Sequence, residues 1–351
     1  MRSRRPGIRF CAGKRETNSK MLYFTEGQTF DPYFNLAMEK WLCDHLDGRR
    51  ILYLWQNEHT VVIGKNQNPL KECRLAALKQ DGGLLARRCS GGGAVYHDLG
   101  NLNFTMLVPN DQFDLHRQCS VLLQAVRQFG VDAQFSGRND LTAQGRKFSG
   151  NAFYHGPHGS FHHGTLLVDT DSEKVARYLK VSAAKLKGNG VDSVRQRVIN
   201  LKECAPKMTI SQLKTALREA MEQVYGEPGT MWEWTPAQIA EIKALAQFYR
   251  SDAWLFPEKF QADLCLEKRF GWGEIQAQLQ LQSQRICACR LYTDAMDAAA
   301  ITELEALLHD CPLTSQALQK RALSASPHHP LIPECIAWIS QEIEGQEAKW
   351  D

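Results

Sequence analysis

The 351-residue sequence predicts an α+β chain with a large part and a small one. Three observations carry this prediction. Short β-like runs between Ile51 and Val168 are separated by Gly, Asn, Asp and Pro turns. Helical periodicity then takes over between Ile210 and Arg250. A second, shorter α/β pattern begins near Phe270. The length also favours a main domain with a smaller companion.

The first helix is set by Asp31-Pro32, an N-cap followed by proline at the first helical position. Phe34, Met38, Leu42 and then His45 or Leu46 follow at helical spacing. Ile51 to Trp55 and Thr60 to Ile63 read as strands, the second ending at Gly64. Leu84 to Arg88 reads as a strand that feeds the glycine triplet Gly91-Gly92-Gly93. Ala94 to His97 and Leu102 to Val108 continue the β pattern across the turn Asp98-Leu99-Gly100-Asn101. Leu115 to Phe129 is helical. Ala133 to Phe135, Lys147 to Tyr154 and Phe161 to Val168 form a second β block, and Ile210 to Val224 and Pro236 to Arg250 are helices. Trp254 to Pro257 closes the large part. Strands near Ile275 to Leu281 and Ile286 to Tyr292, then helices near Ala298 to Leu308 and Thr314 to Leu323, make up the small part.

Seven basic residues in the first 20 positions face only Glu16, so this segment exceeds the whole formal charge of +3 and the rest of the chain is mildly acidic. A nucleic-acid footprint over the body is therefore not expected, and basic side chains inside motifs are local anion ligands. The basic segment reads as a disordered extension, as a start placed upstream of Met21, or as a transit peptide. No apolar run reaches the roughly 18 residues of a membrane span. The 11 cysteines are scattered without paired C-x-x-C spacing, which points to reduced thiols rather than zinc or disulfides.

Arg87 to Asn101, RRCSGGGAVYHDLGN, is the most informative stretch. Without Cβ atoms its glycine amides can turn together toward an anion beside the arginine charges. Taken alone, a glycine triplet is as readily a plain bend between strands. A second constellation follows in GRNDL from Gly137, GRKFSGNA from Gly145 and FHHGT from Phe161. Lys147 opens a strand whose next residues are partly small, so its ammonium is read as projecting into a pocket. A charge held about 4 Å from a phosphate gains roughly 4 kcal/mol at an effective dielectric of about 20.

In this order and spacing, RRCSGGGAVYHDLGN, GRNDL, GRKFSGNAF and FHHGTLL resemble the lipoate-protein ligase family. FDPYFNLAMEK, LWQNEHTVVIGKNQNPLKEC, GVDSVRQRVINL and EKRFGWGEIQ extend the likeness from about Leu22 to the C-terminus. The resemblance implies a mainly antiparallel sheet flanked by helices, similar to the biotin ligase and class II synthetase catalytic fold, with a small C-terminal domain that moves during the cycle. It divides the chain into the extension at 1–20, a catalytic domain at 21–262 and an accessory domain at 270–351.

The activity implied is ATP-dependent conversion of lipoate to lipoyl-AMP, then transfer to a lysine of an acceptor domain. The implied acceptors are lipoyl domains of 2-oxoacid dehydrogenase E2 subunits and the glycine cleavage H protein, in the cytoplasm, without nucleic acid or membrane. Carried over residue by residue, Arg88, Gly93, Ala94, Val95 and Tyr96 bind ATP, and Lys147 is the catalytic lysine that contacts ATP and lipoate. Mg2+ is expected with the ATP. Asn139 and Asp140 are read either as its ligands or as turn residues.

His163 is read either as a tie between strands or as a pocket residue. Trp41, Trp55 and Phe153 are read either as the wall of an apolar acyl slot or as core. Cys89 stands where the family often carries a hydroxyl, and the segment from Asp140 to Lys147 is short for the family. Two other readings stay open at this stage. One is a transferase that uses only preformed lipoyl-AMP, and the other is a lipoyl-binding protein without turnover. A cysteine-dependent transferase is disfavoured, because no cysteine lies between Cys119 and Cys204.

Overall fold

The structure, a computed structural model, describes residues 22–136, 140–180, 197–256 and 261–347. The basic extension at 1–20 lies outside the described residues. In chain order the strands are β1 Leu22–Glu26, β2 Arg50–Trp55, β3 Thr60–Ile63, β4 Leu84–Arg87, β5 Val95–His97, β6 Asn101–Val108, β7 Ala133–Ser136, β8 Asp140–Ala143, β9 Arg146–His155, β10 Ser160–Leu167, β11 Gly229–Met231, β12 Leu264–Phe270, β13 Gly273–Gln282, β14 Arg285–Thr293 and β15 Cys311–Pro312.

Eight strands form one sheet in the order β11-β1-β2-β6-β10-β9-β8-β7. The two pairings at the β11 edge are parallel, and those from β2 onward are antiparallel. Each face carries a helical layer. The helices Leu115–Arg127 and Ile210–Tyr225 send Val121, Leu122, Ala125, Leu213 and Leu217 against Leu52, Leu54, Leu102 and Phe104 on one face. On the other face, Pro32–Asp44 and Pro236–Arg250 enclose Ile51, Tyr53, Trp55, Leu107 and Phe161. This is the period-2 division of a sheet buried on both sides.

The first helix starts as its sequence dictates, with the Asp31 carboxylate accepting from the Tyr33 N–H and Pro32 following the cap. A three-stranded sheet, β4-β3-β5, leans against the large one and delivers the glycine triplet to its surface. The C-terminal sheet, β12-β13-β14-β15, has its own core of Ile275, Leu279, Leu291, Leu304 and Trp338 with the helices Ala298–Leu308 and Leu331–Glu347. Its turn after β14 seats on the glycine loop, where the Gly92 N–H donates to the Ala295 carbonyl at 2.9 Å. No helix among the described residues is long and apolar enough to cross a membrane.

Candidate active site

A cavity of about 480 Å³ opens where the large sheet, the glycine loop and the C-terminal sheet meet. Its floor is a row of residues in register across five strands. Asp140 of β8 pairs with Gly150 of β9, whose N–H donates to Thr165 Oγ1 of β10. Thr165 pairs with Asn103 of β6, and Asn103 pairs with Trp55 of β2. All five residues line the cavity. One end of the row is charged and the other is aromatic, so the cavity is polarised along its length.

A break in register aims Lys147 at the charged end. Along β9, Ala152 and Gly150 line the cavity, so uninterrupted alternation would put Phe148 there too and turn Lys147 toward the core. Between Leu141 and Thr142 the pairing with β9 instead slips by one residue, from Ser149 to Lys147. The slip exchanges the two faces: Phe148 is fully buried in the core and Lys147 lines the cavity. The backbone of Lys147 is held on its other edge, donating to the Arg197 carbonyl and accepting from the Ile199 N–H, both at 2.9 Å. Its ammonium meets Asp140 Oδ1 at 2.6 Å.

The glycine loop supplies the opposite wall. Arg88 is buried, and its guanidinium donates to the Gly91 carbonyl at 2.7 Å, the Gly93 carbonyl at 2.8 Å and Ser90 Oγ at 3.1 Å. Drawing these carbonyls onto one cation fixes the loop around a positive charge. Burial pulls the guanidinium down to about 10, which leaves it charged at neutral pH. Gly91 needs its missing Cβ because a methyl there would overlap the Ala295 and Met296 carbonyl oxygens, and Gly92 adopts φ +87°. Arg87 has a different task. It donates to the carbonyls of Gly64, Lys65, Gln67, Trp254 and Leu255, and so ties the loop's root to the end of the large part.

Of the residues singled out from the sequence, Arg88, Gly93, Ala94, Val95 and Lys147 line this one cavity. Tyr96 sits on the alternate face of β5, with its ring in a separate core beside Val61, Ile63 and Tyr178. Asp140 lines the cavity, while Asn139 lies outside the described residues. Trp55 also lines it, whereas Trp41 packs against Trp232 and Trp234, and Phe153 against Phe113 and His162. Cys89 is buried in core, where desolvation raises its thiol far above the usual range and leaves it protonated.

His163 both lines the cavity and ties elements together, with Nε2 at 2.7 Å from Ser90 Oγ and Nδ1 at 2.7 Å from Glu39 Oε1. Glu39, fully buried on the first helix, also accepts from Thr105 Oγ1. The helix and the glycine loop are thereby joined through one imidazole. The sequence reading missed Glu39; an acid on the apolar face of a helix, four residues after Asn35, was the available signal. It also gave no role to His97, Asn103, Trp272 or Met296, all of which line the cavity.

Residues 31–222 match the family pattern described as "Lipoyl protein ligase A/B catalytic domain", and residues 259–328 match "Bacterial lipoate protein ligase C-terminus". A curated protein named lipoate-protein ligase A, from Psychrobacter cryohalolentis, is 36% identical over 328 residues, which span 90% of this chain and 97% of that protein. The chain belongs to the lipoate-protein ligase family. Among solved structures, P. falciparum LipL1 in complex with lipoate superposes with a TM-score of 0.79 at 26% identity, covering 92% of this chain and 99% of that one. The Thermoplasma acidophilum bipartite lipoate protein ligase, solved with its E2 lipoyl domain, gives 0.62 at 25% identity, covering 70% and 98%. A lipoate-protein ligase A bound with ATP gives 0.59 at 25% identity, covering 67% and 97%. The chain is therefore a lipoate-protein ligase, and the cavity gathers Arg88, Gly93, Ala94, Val95 and Lys147 from its motifs.

Proposed function

We propose that this ligase activates lipoate with ATP as lipoyl-AMP in the cavity and then passes the lipoyl group to a lysine ε-amine of an acceptor lipoyl domain. The observation that carries the reading is the register slip that aims Lys147 into a cavity faced by the Arg88 glycine loop. Attack of a carboxylate on the α-phosphate brings two anions together. Fixed cations at the meeting point are the main remedy, because they stabilise charge that grows in the transition state.

In this reading Lys147 lies between the lipoate carboxylate and the α-phosphate and is both the catalytic residue and a ligand of each substrate. Arg88 and the backbone from Gly93 to Tyr96 hold ATP, and Tyr96 contributes only main chain because its ring is turned away. Asp140 puts a carboxylate at the charged end of the cavity, and Asp294 lines the same cavity. That suits Mg2+, which keeps several waters and takes its remaining ligands from phosphates. Such an ion would supply neutralisation of the triphosphate. The catalytic unit is assigned to 21–262 and the accessory unit to 270–351. The acceptors are E2 lipoyl domains, as the archaeal relative's structure with its E2 domain suggests, and glycine cleavage H protein, in the cytoplasm.

The test supplies purified protein with lipoate, ATP and an E2 lipoyl domain. Pyrophosphate release and a mass gain of one lipoyl group on the acceptor are expected. Lys147→Ala should lose both by more than about 10²-fold while keeping its unfolding midpoint. Modification only when lipoyl-AMP is supplied would replace the ligase reading with that of a transferase.

A further inference from the structure

Two neutral donors in the cavity wall have no partner among the described residues. The first is on His97, buried and neutral. Its tautomer is dictated by a relay that begins at the backbone. Asn35 Nδ2 donates to the carbonyls of Thr29 and Gln56, and the Tyr53 hydroxyl donates to Asn35 Oδ1, so the Asn35 amide can face only one way. Asn57 Oδ1 lies 3.0 Å from the same Asn35 Nδ2 and shares one of its two protons with a carbonyl, which leaves Asn57 Nδ2 to donate to His97 Nδ1 at 3.1 Å. With Nδ1 an acceptor, the ring proton of His97 is on Nε2, and that atom has no partner. Burial, with Arg88 and His163 nearby, pulls the imidazole down to about 3.

The second donor is Asn103. Its Oδ1 accepts from Asn101 Nδ2 at 2.8 Å, and its Nδ2 is buried without a partner. Both residues flank Trp55: Asn103 is its cross-strand neighbour, and the His97 ring lies 6.1 Å from the indole, edge to face. They therefore mark the aromatic end of the cavity, away from Lys147 and Asp140.

Distance decides which part of an acyl substrate meets them. Lys147 Nζ lies over Gly150 on β9, 3.3 Å from where a Cβ would be. Asn103 on β6 is two strands further, about 10 Å at ordinary interstrand spacing. An acid whose carboxylate is held by Lys147 spans about that length with eight carbons in extended geometry. Its far end, not its carboxyl oxygen, reaches Asn103 and Trp55. In lipoate that end carries two sulfurs, which are weak hydrogen-bond acceptors. In octanoate it is a methyl group.

We propose that His97 Nε2–H and Asn103 Nδ2–H donate to the dithiolane sulfurs and make this ligase select lipoate over unsubstituted fatty acids of the same length. The inference rests on the ligase reading above and deepens it. A site built to hydrogen-bond its substrate rejects an analogue that lacks the acceptor, because its own buried donors are then left unpaired.

The experiment compares kcat/KM for lipoate and octanoate in pyrophosphate release for the wild type, Asn103→Leu, His97→Phe and His97→Gln. The wild type should favour lipoate by about tenfold or more, and Asn103→Leu and His97→Phe should each cut that ratio at least about fivefold with the KM for ATP unchanged. His97→Gln keeps a donor at similar reach and should retain most of the preference. In parallel, the 15N resonance of His97 Nε2 should report a protonated nitrogen that shifts on saturation with lipoate and stays in place with octanoate. An unchanged ratio in folded Asn103→Leu and His97→Phe, or equal use of both acids by the wild type, overturns the proposal. An unmoved Nε2 resonance overturns it even if a variant fails to fold. Turnover of neither acid by the wild type would instead overturn the ligase reading, and the lipoate titration would still decide the subsite.

Discussion

At the scale of single residues, this chain places ionisable groups where solvent cannot help them, and the fold then depends on which form each one keeps. His97 and His162 are buried, and desolvation with neighbouring positive charge holds both imidazoles down to about 3. An exposed histidine in the unfolded chain titrates near 6.5. Below that value the unfolded state binds protons that the native state refuses. The stability contributed by the two neutral rings is thus full above about pH 6.5 and is lost as pH falls toward 3, at up to about 2 kcal/mol for each ring by pH 5. His162→Gln preserves the donor that serves Asn151 Oδ1 and removes the titration. Urea unfolding at pH 7 and pH 5 should therefore show a drop in stability about 2 kcal/mol smaller in the variant than in the parent. Equal drops would mean that His162 does not hold its proton-free form.

At the scale of elements, the strands and helices with clear periodicity were legible in the sequence, and those that depend on partners were not. Asp31-Pro32 announced the first helix because capping is local chemistry. β8, Asp140–Ala143, carries too little pattern in four residues to announce a strand; only its pairing with β7 and β9 makes it one. The Leu331–Glu347 helix was masked by Pro333, a residue that the first turn of a helix tolerates. The resemblance brought Arg88 and Lys147 to one site, but the slip that aims Lys147 was not legible, since a bulge leaves no mark in composition.

The arginine pair shows the same limit, for both were read as anion ligands and Arg87 turns out to be a joint. Its five donor contacts join the Gly64–Gln67 turn and the end of the Asp252–Leu255 helix to β4. Burial pulls Arg87 down to about 10, still charged. A lysine carries its donors at one point and cannot span both elements. Arg87→Lys should cost about 2–4 kcal/mol of unfolding free energy and change the emission of Trp254, whose indole N–H bonds the Arg87 carbonyl. A loss below about 0.5 kcal/mol would show that water replaces these contacts without cost.

At the scale of the whole molecule, the cavity is complete only while the C-terminal sheet is seated. Trp272 and Met296 from that sheet share its wall with the glycine loop. The seating contacts among the described residues include Gly92 N–H to the Ala295 carbonyl, Thr293 N–H to the Asn66 carbonyl, Lys65 to Thr302, and the exposed Lys71–Glu267 pair. Exposed ion pairs contribute little, so the interface rests on main-chain complementarity that Gly91 makes possible. A methyl at position 91 would meet the Ala295 and Met296 carbonyl oxygens, which belong to backbone and cannot swing aside. Gly91→Ala should therefore unseat the C-terminal sheet without unfolding it, because that sheet has its own core. Hydrogen exchange should quicken by at least about tenfold at the Gly92 and Thr293 amides while amides within the β13–β14 ladder keep their protection. The radius of gyration in solution should rise with it. Unchanged exchange at Gly92 would mean that the loop adapts to the methyl, and that the glycine serves the nucleotide side of the cavity rather than the closure of the molecule.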